Sequence, residues 1–156
     1  MADKKTLESL ISMAIAKEEE SLNFYMKLFG IVTESNVKDT LKFLADEEKK
    51  HRDFLVNYRD GKIGSASLRM SDVVDYKIAE HLEKPDIEKN INSIDAYLVA
   101  AHRELNSYNF YKNLSEIQPA GEVKDMLLKM ANEEMKHKEK VEYLYSNTAF
   151  PQTAGG

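Results

Sequence analysis

The chain contains no cysteine. That absence excludes disulfides, thiolate zinc sites, iron–sulfur clusters and a cysteine nucleophile, although it says nothing about redox compartment. Three prolines and six glycines in 156 residues leave few breaks, so the elements are long, and at this length they are helices. No apolar run approaches a membrane span, and the opening MADKKTLESL holds no apolar stretch of signal-peptide length. The expected location is therefore the cytoplasm. A block of single-signed charge is also missing. The net charge of −5 is spread in mixed sign, which argues against nucleic acid or an anionic membrane as a partner. What is present, 42% hydrophobic and 31% charged residues, is the composition of an ordinary soluble protein. The length suits one domain, residues 1–156, with a core that needs no covalent staple.

The chain repeats itself. At an offset of 86 residues, Ala14 falls on Ala100, Glu18 on Glu104, Ser21 on Ser107, and Phe24-Tyr25 on Phe110-Tyr111. Further along, Val37-Lys38-Asp39 falls on Val123-Lys124-Asp125, Glu47-Glu48 on Glu133-Glu134, and His51 on His137. Residues 14–51 carry seventeen such identities without a gap, where chance would give roughly two or three. The pattern reads as a duplicated unit.

Each unit is a helical hairpin. Leu7, Leu10, Ile11, Ala14, Glu18, Ser21, Leu22, Tyr25 and Leu28 recur at three- and four-residue steps, the stripe of one helix. The stripe breaks near Gly30, and Thr33-Glu34-Ser35-Asn36 supplies cap-type residues. A second stripe runs from Val37 through Leu41, Leu44, Glu48, His51 and Leu55 to Tyr58, ending at Asp60-Gly61. The second unit repeats the scheme around a turn at Gln118-Pro119-Ala120-Gly121. The expectation is an all-α four-helix bundle. Hairpin 1 covers about residues 5–60 and hairpin 2 about 89–145. A crossover over 61–88, with a short helix expected in the amphipathic run at Val74, Ile78 and Leu82, is long enough to span the bundle. Residues 146–156 read as a loose tail.

Acidic residues normally avoid apolar stripes, because an unpaired buried carboxylate is costly. Here Glu18, Glu48, Glu104 and Glu134 lie within them. Residues equidistant from an antiparallel turn share a height. Glu18 and Glu48 are centred on residue 33, and Glu104 and Glu134 on Pro119, so each hairpin levels its two glutamates. His51 and His137 follow Glu48 and Glu134 by three residues, one turn on along nearly the same face. Four carboxylates and two imidazoles at one level call for neutralisation by two divalent cations. Oxygen ligands with one imidazole per metal suit iron or manganese, with zinc a common occupant, and two bridging carboxylates can hold such a pair. The two halves read as equivalent, each histidine serving its own metal.

Tyr25 and Tyr111 lie two turns beyond Glu18 and Glu104 on the same face. They can bond ligand carboxylates or carry an electron; packing with a satisfied hydroxyl fits the pattern as well. Glu19, Glu20, Glu47 and Glu133 point off the stripes and read as a solvated face, and His81 and His102 read as structural.

Carboxylate-bridged bundles take one Glu from each of two helices and a Glu-x-x-His from each of the other two. At these residues the chain resembles the ferritin-like superfamily. Within it the chain is similar to the rubrerythrin family, through KEEESLNFY and LADEEKKH and their copies RELNSYNFY and MANEEMKH. The resemblance implies a ferritin-like fold, a pair of metal ions, most naturally iron, and oxidoreductase chemistry with peroxide or oxygen as the small-molecule oxidant. It also implies a homo-oligomer, with a dimer expected. An iron-binding or storage protein without significant turnover is the alternative. Two departures stand out. Rubrerythrins usually carry a Cys-rich rubredoxin domain, which a Cys-free chain lacks, so an external electron-donor protein is expected. They also tend to carry an extra Glu one turn after the third-helix ligand, where this chain has Ser107. The symmetric four-Glu, two-His set resembles bacterioferritin in that respect, and it leads to the expectation that peroxide is not strongly preferred over oxygen.

Overall fold

A computed structural model describes residues 4–68, 70–86 and 91–150. Four long helices make the bundle: α1 (Lys4–Ile31), α2 (Ser35–Arg59), α4 (Ser93–Glu116) and α5 (Glu122–Ala149), with a one-turn helix α3 (Ile78–His81) in the crossover. There is no strand among the described residues. The all-α, ferritin-like arrangement of two hairpins and a long crossover is as the stripes predict. α1 packs on α2 and α4 on α5. The two hairpins meet across α1 and α4, which run antiparallel, since Tyr25 reaches Glu104 and Tyr111 reaches Glu18.

Local chemistry sets the ends. α2 stops in a Schellman turn: Gly61, at φ 74, donates its N–H to Tyr58 O at 3.1 Å, and Lys62 donates to Asn57 O at 2.9 Å. A side chain at that φ would be strained, which is why glycine follows Asp60. Asn92 caps α4 by accepting from the Asp95 N–H at 2.8 Å.

The core lies in two apolar clusters with the acidic layer between them. One gathers Leu28, Val37, Leu41, Leu44, Val99 and Val141. The other gathers Ile11, Leu55, Met126, Leu127 and Met130. Each fully buried aliphatic side chain stabilises the fold by about 1.5–3 kcal/mol, and this offsets the cost of the polar layer.

One expectation needs correction. The tail is expected from residue 146, but α5 continues to Ala149 because Leu144 and Tyr145 pack against the first cluster and keep the stripe going; residues 151–156 lie outside the described set. The crossover holds a short helix as expected, α3, one turn long, with Val74 and Leu82 exposed on either side of it. Most of the crossover is irregular and is held through its backbone by α5 side chains. Asn132 accepts from the Ser71 N–H at 3.1 Å and donates to Ser71 O at 3.0 Å, and Glu139 accepts from the Val74 N–H at 2.8 Å. Residues 69 and 87–90, which include the expected start of hairpin 2, lie outside the described set.

Candidate metal centre

All six residues singled out by the stripes meet at one level of the bundle. Glu18 (α1), Glu48 (α2), Glu104 (α4) and Glu134 (α5) are fully buried, and His51 and His137 are 6% and 5% exposed. Imidazole edges are thus the part of this layer nearest to solvent. The two rings stack, centroids 5.4 Å apart and 14° from parallel, and Phe43 packs edge-on to His137 at 6.2 Å.

The layer divides into two overlapping groups: Glu18, Glu48, His51 and Glu134, and Glu48, Glu104, Glu134 and His137. In each, one potential ligand atom from every member lies within 4.8 Å of the rest. Glu48 and Glu134 belong to both. His51 Nδ1 stands 3.7 Å from Glu18 Oε2 and 3.3 Å from Glu134 Oε1. His137 Nδ1 stands 3.5 Å from Glu48 Oε1 and 3.6 Å from Glu104 Oε2. These separations give electrostatic attraction but not well-formed hydrogen bonds.

The hydrogen-bond inventory separates the carboxylates further. Tyr25 donates to Glu104 Oε1 at 2.7 Å, and Tyr111 donates to Glu18 Oε1. Each tyrosine therefore holds the glutamate of the opposite hairpin and uses up one of its oxygens. On the six converging side chains, the atoms buried without a hydrogen-bond partner are Glu18 Oε2, Glu104 Oε2, both oxygens of Glu48 and of Glu134, and Nδ1 of His51 and His137; Ser21 Oγ and Arg103 Nε are in the same condition nearby in α1 and α4. Buried polar atoms are normally satisfied. Eight orphans on six converging side chains form a donor set that could hold metal. Glu18 Oε2 and His51 Nδ1 belong to one group, Glu104 Oε2 and His137 Nδ1 to the other, and the free oxygens of Glu48 and Glu134 lie within reach of both. Hard oxygens with one imidazole apiece fit iron or manganese, and zinc as well.

The charge balance of the layer points the same way. Burial, reinforced by repulsion from neighbouring glutamates, raises the carboxyl pKa values of Glu48 and Glu134 well above the ordinary range. Burial also acts on Glu18 and Glu104, but there the neighbours outweigh it. Glu48, His51 and Tyr111 bring Glu18 down to about 2, and His137, Glu134 and Tyr25 lower Glu104. Burial disfavours both imidazolium ions, yet the surrounding carboxylates raise His51, and raise His137 well above its usual value. Protons are thus held more readily on Glu48, Glu134, His51 and His137 than on Glu18 and Glu104.

The flanking residues resolve as well. Glu47 pairs with Lys50, Glu133 with Lys136, and Glu20 with Arg103 on the surface. His102 Nε2 lies 2.7 Å from the Leu82 carbonyl, a structural contact. Ser21 and Ser107 are buried one turn past Glu18 and Glu104. The sequence reading missed Lys138, which is fully buried beside His137; a lysine inside an apolar stripe was the available signal.

The tyrosine bonds yield a prediction. Tyr25→Phe leaves a buried, ionised Glu104 oxygen unpaired, and loss of such an outer partner costs a metal about 10–100-fold in affinity. Because the bond crosses between hairpins, Tyr25→Phe is expected to weaken the metal on the His137 side, and Tyr111→Phe the one on the His51 side. Stepwise titration of each variant carrying His51→Ala or His137→Ala checks this. Equal weakening of both positions by one tyrosine would count against it.

The family model for rubrerythrin matches residues 2–60, the whole of the first hairpin. No curated protein and no solved structure matches the chain. No helix among the described residues is long and apolar enough to cross a membrane.

Proposed function

We propose, on the footing that residues 2–60 are of the rubrerythrin family, that the chain is a dinuclear non-haem iron oxidoreductase acting on peroxide or oxygen. The observation that supports this most directly is the set of eight orphaned ligand atoms, four to each cation, with Glu48 and Glu134 common to both. When bound, two ferrous ions supply the two electrons that a peroxide bond requires.

The chain's own residues provide the setting. Glu48 and Glu134 tie the two positions together. Tyr25 and Tyr111 orient the outer carboxylates and leave one oxygen of each for a cation. Leu28, Leu41 and Leu44 on one side and Leu55, Leu127 and Met130 on the other keep bulk water from the layer. The imidazole edges between α2 and α5 are the part of the layer that a small oxidant meets first. We assign the re-reducing electrons to an external donor protein.

The test is anaerobic loading with two equivalents of ferrous iron, followed by a stoichiometric pulse of peroxide or oxygen, read in the ultraviolet–visible spectrum. The expected result is oxidation of both irons with a defined stoichiometry and return to the ferrous state on re-reduction, over repeated cycles. A single oxidation with iron then retained and no further turnover would favour a storage role. With Ser107 at the position where rubrerythrins tend to carry a further Glu, peroxide is not expected to outrun oxygen by a large factor.

A further inference from the structure

The two halves of the site are alike in ligands but not in what stands behind them. Lys138 follows His137, and Arg52 follows His51 at the repeat-related position. Lys138 is completely buried. Its ammonium lies 2.6 Å from Asp75, 2.8 Å from Glu80 and 3.0 Å from Glu142. It fills the place that a cation would take among those three carboxylates. Glu142 also accepts the N–H groups of Ile78 and Ala79, each at 2.8 Å, and Asp75 accepts the Lys77 N–H at 3.0 Å. Lys77 sits at φ 54, a left-handed conformation unusual for a lysine, and these bonds hold it there. With Asn132 and Glu139, the node fastens the crossover to the turns of α5 that carry Glu134 and His137.

α2 has no counterpart. Arg52 is 28% exposed at its side chain and pairs with its sequence neighbour Asp53. Asp46, which corresponds to Asn132, pairs with Lys42 on its own helix. Among the described residues, the turn that carries Glu48 and His51 has core packing, the His137 ring and the Glu47–Lys50 pair of its own helix, but no such tie to the crossover.

We propose that Lys138 is a positioning residue for His137, and that the node makes the two metal positions unequal. The position on the Glu104–His137 side is preorganised, takes metal first and releases it last. The position on the Glu18–His51 side exchanges readily. A ligand whose backbone is already fixed loses less freedom on binding and lets go more slowly. The proposal rests on the dinuclear reading above, and it replaces the equivalence of halves that the repeat suggests.

The experiment loads the full chain with two equivalents of zinc(II) and follows release to excess 4-(2-pyridylazo)resorcinol by absorbance. Two phases are expected, with His51→Ala removing the fast one and His137→Ala the slow one. Lys138→Met should accelerate the slow phase on the order of tenfold, the scale for loss of an outer-shell partner, and move the fast phase far less, through the shared Glu134 alone. Arg52→Met should move neither phase, and Lys138→Arg should restore the slow phase. Should Lys138→Met fail to fold, Asp75→Asn with Glu80→Gln keeps the Lys138–Glu142 pair and should give a smaller acceleration of the same phase. Two bound zinc ions released in one phase, or a slow phase indifferent to both node variants, overturns the inference and leaves the dinuclear reading standing. Fewer than two bound zinc ions overturns both.

Discussion

Replacing Glu48 and Glu134 together by glutamine is expected to abolish binding of the metal pair while making the metal-free chain more stable near neutral pH. These two residues belong to both ligand groups, and all four of their carboxyl oxygens are buried without a partner. Losing them removes a ligand pair from each position, an effect beyond the roughly 10–100-fold that loss of an outer-shell partner costs. Stability moves the other way. Burial and the surrounding glutamates already resist ionisation at both sites, and an amide keeps the shape of the protonated carboxyl without the charge. The gain should reach several degrees in Tm for the metal-free protein at pH 8, and vanish near pH 4.5, where the parent carboxyls are protonated as well. Calorimetric metal titration and thermal melts of parent and double variant, with and without metal, give both halves of the answer. Retained binding of two equivalents, or a double variant less stable than its metal-free parent at pH 8, would contradict the shared-carboxylate site.

Without metal, the parent protein is expected to lose thermal stability steadily as pH rises from about 4.5 to 8, the reverse of ordinary acid denaturation. The groups act as follows. Glu48 and Glu134 have raised pKa values in the fold, so their contribution is present below their unfolded value near 4.5 and is lost as pH rises through the folded values. His51 and His137 are raised too. Their contribution is full below 6.5 and lost above it, as pH passes their folded values. Glu18 and Glu104 are lowered, so their contribution is present above about 4.5 and is lost on acidification, for Glu18 through about 2. The three sets together place the metal-free optimum near pH 4.5. Each proton by which the folded state exceeds the unfolded state is worth about 1.4 kcal/mol per pH unit. Two such protons amount to several degrees of Tm per pH unit in a domain of this size.

Metal reverses the slope, because it displaces these same protons. Loading should release protons from Glu48, Glu134, His51 and His137, whose protonated forms the fold favours, and the metal-induced rise in Tm should grow with pH. A pH-stat titration counts the protons, and melts across the range give the slope. A metal-free Tm that climbs between pH 4.5 and 8, or release of fewer than about two protons, would show that the carboxylates are not gathered as described.

The six ligand candidates were legible in the sequence because helical periodicity converts spacing directly into facing. A glutamate at a stripe position must point inward, and the equal distances of Glu18 and Glu48, and of Glu104 and Glu134, from their turns fix their height. The partition within the six was not legible. That Glu48 and Glu134 belong to both groups while Glu18 and Glu104 each belong to one depends on how the hairpins meet, which brings Tyr25 to Glu104 and Tyr111 to Glu18. Contacts across a helix–helix interface follow from crossing geometry, on which one-dimensional spacing is silent. The crossover shows the same limit. Val74, Ile78 and Leu82 carry a helical spacing, yet the backbone there bonds to Asn132, Glu139 and Glu142 instead.

The sequence by itself determined the number of long helices, their pairing into hairpins, the level of the acidic layer and its six members. Those properties follow from periodicity within one helix and symmetry about one turn, and both are local. Only the tertiary structure decided which glutamates are shared, which tyrosine serves which carboxylate, and that a buried Lys138 braces one half of a site written as though its halves were the same. Each of these depends on contacts between residues 63 or more apart in sequence, meeting in a water-poor interior. There an unpaired charge is costly enough to dictate its partner, and no pattern along the chain records where that partner comes from.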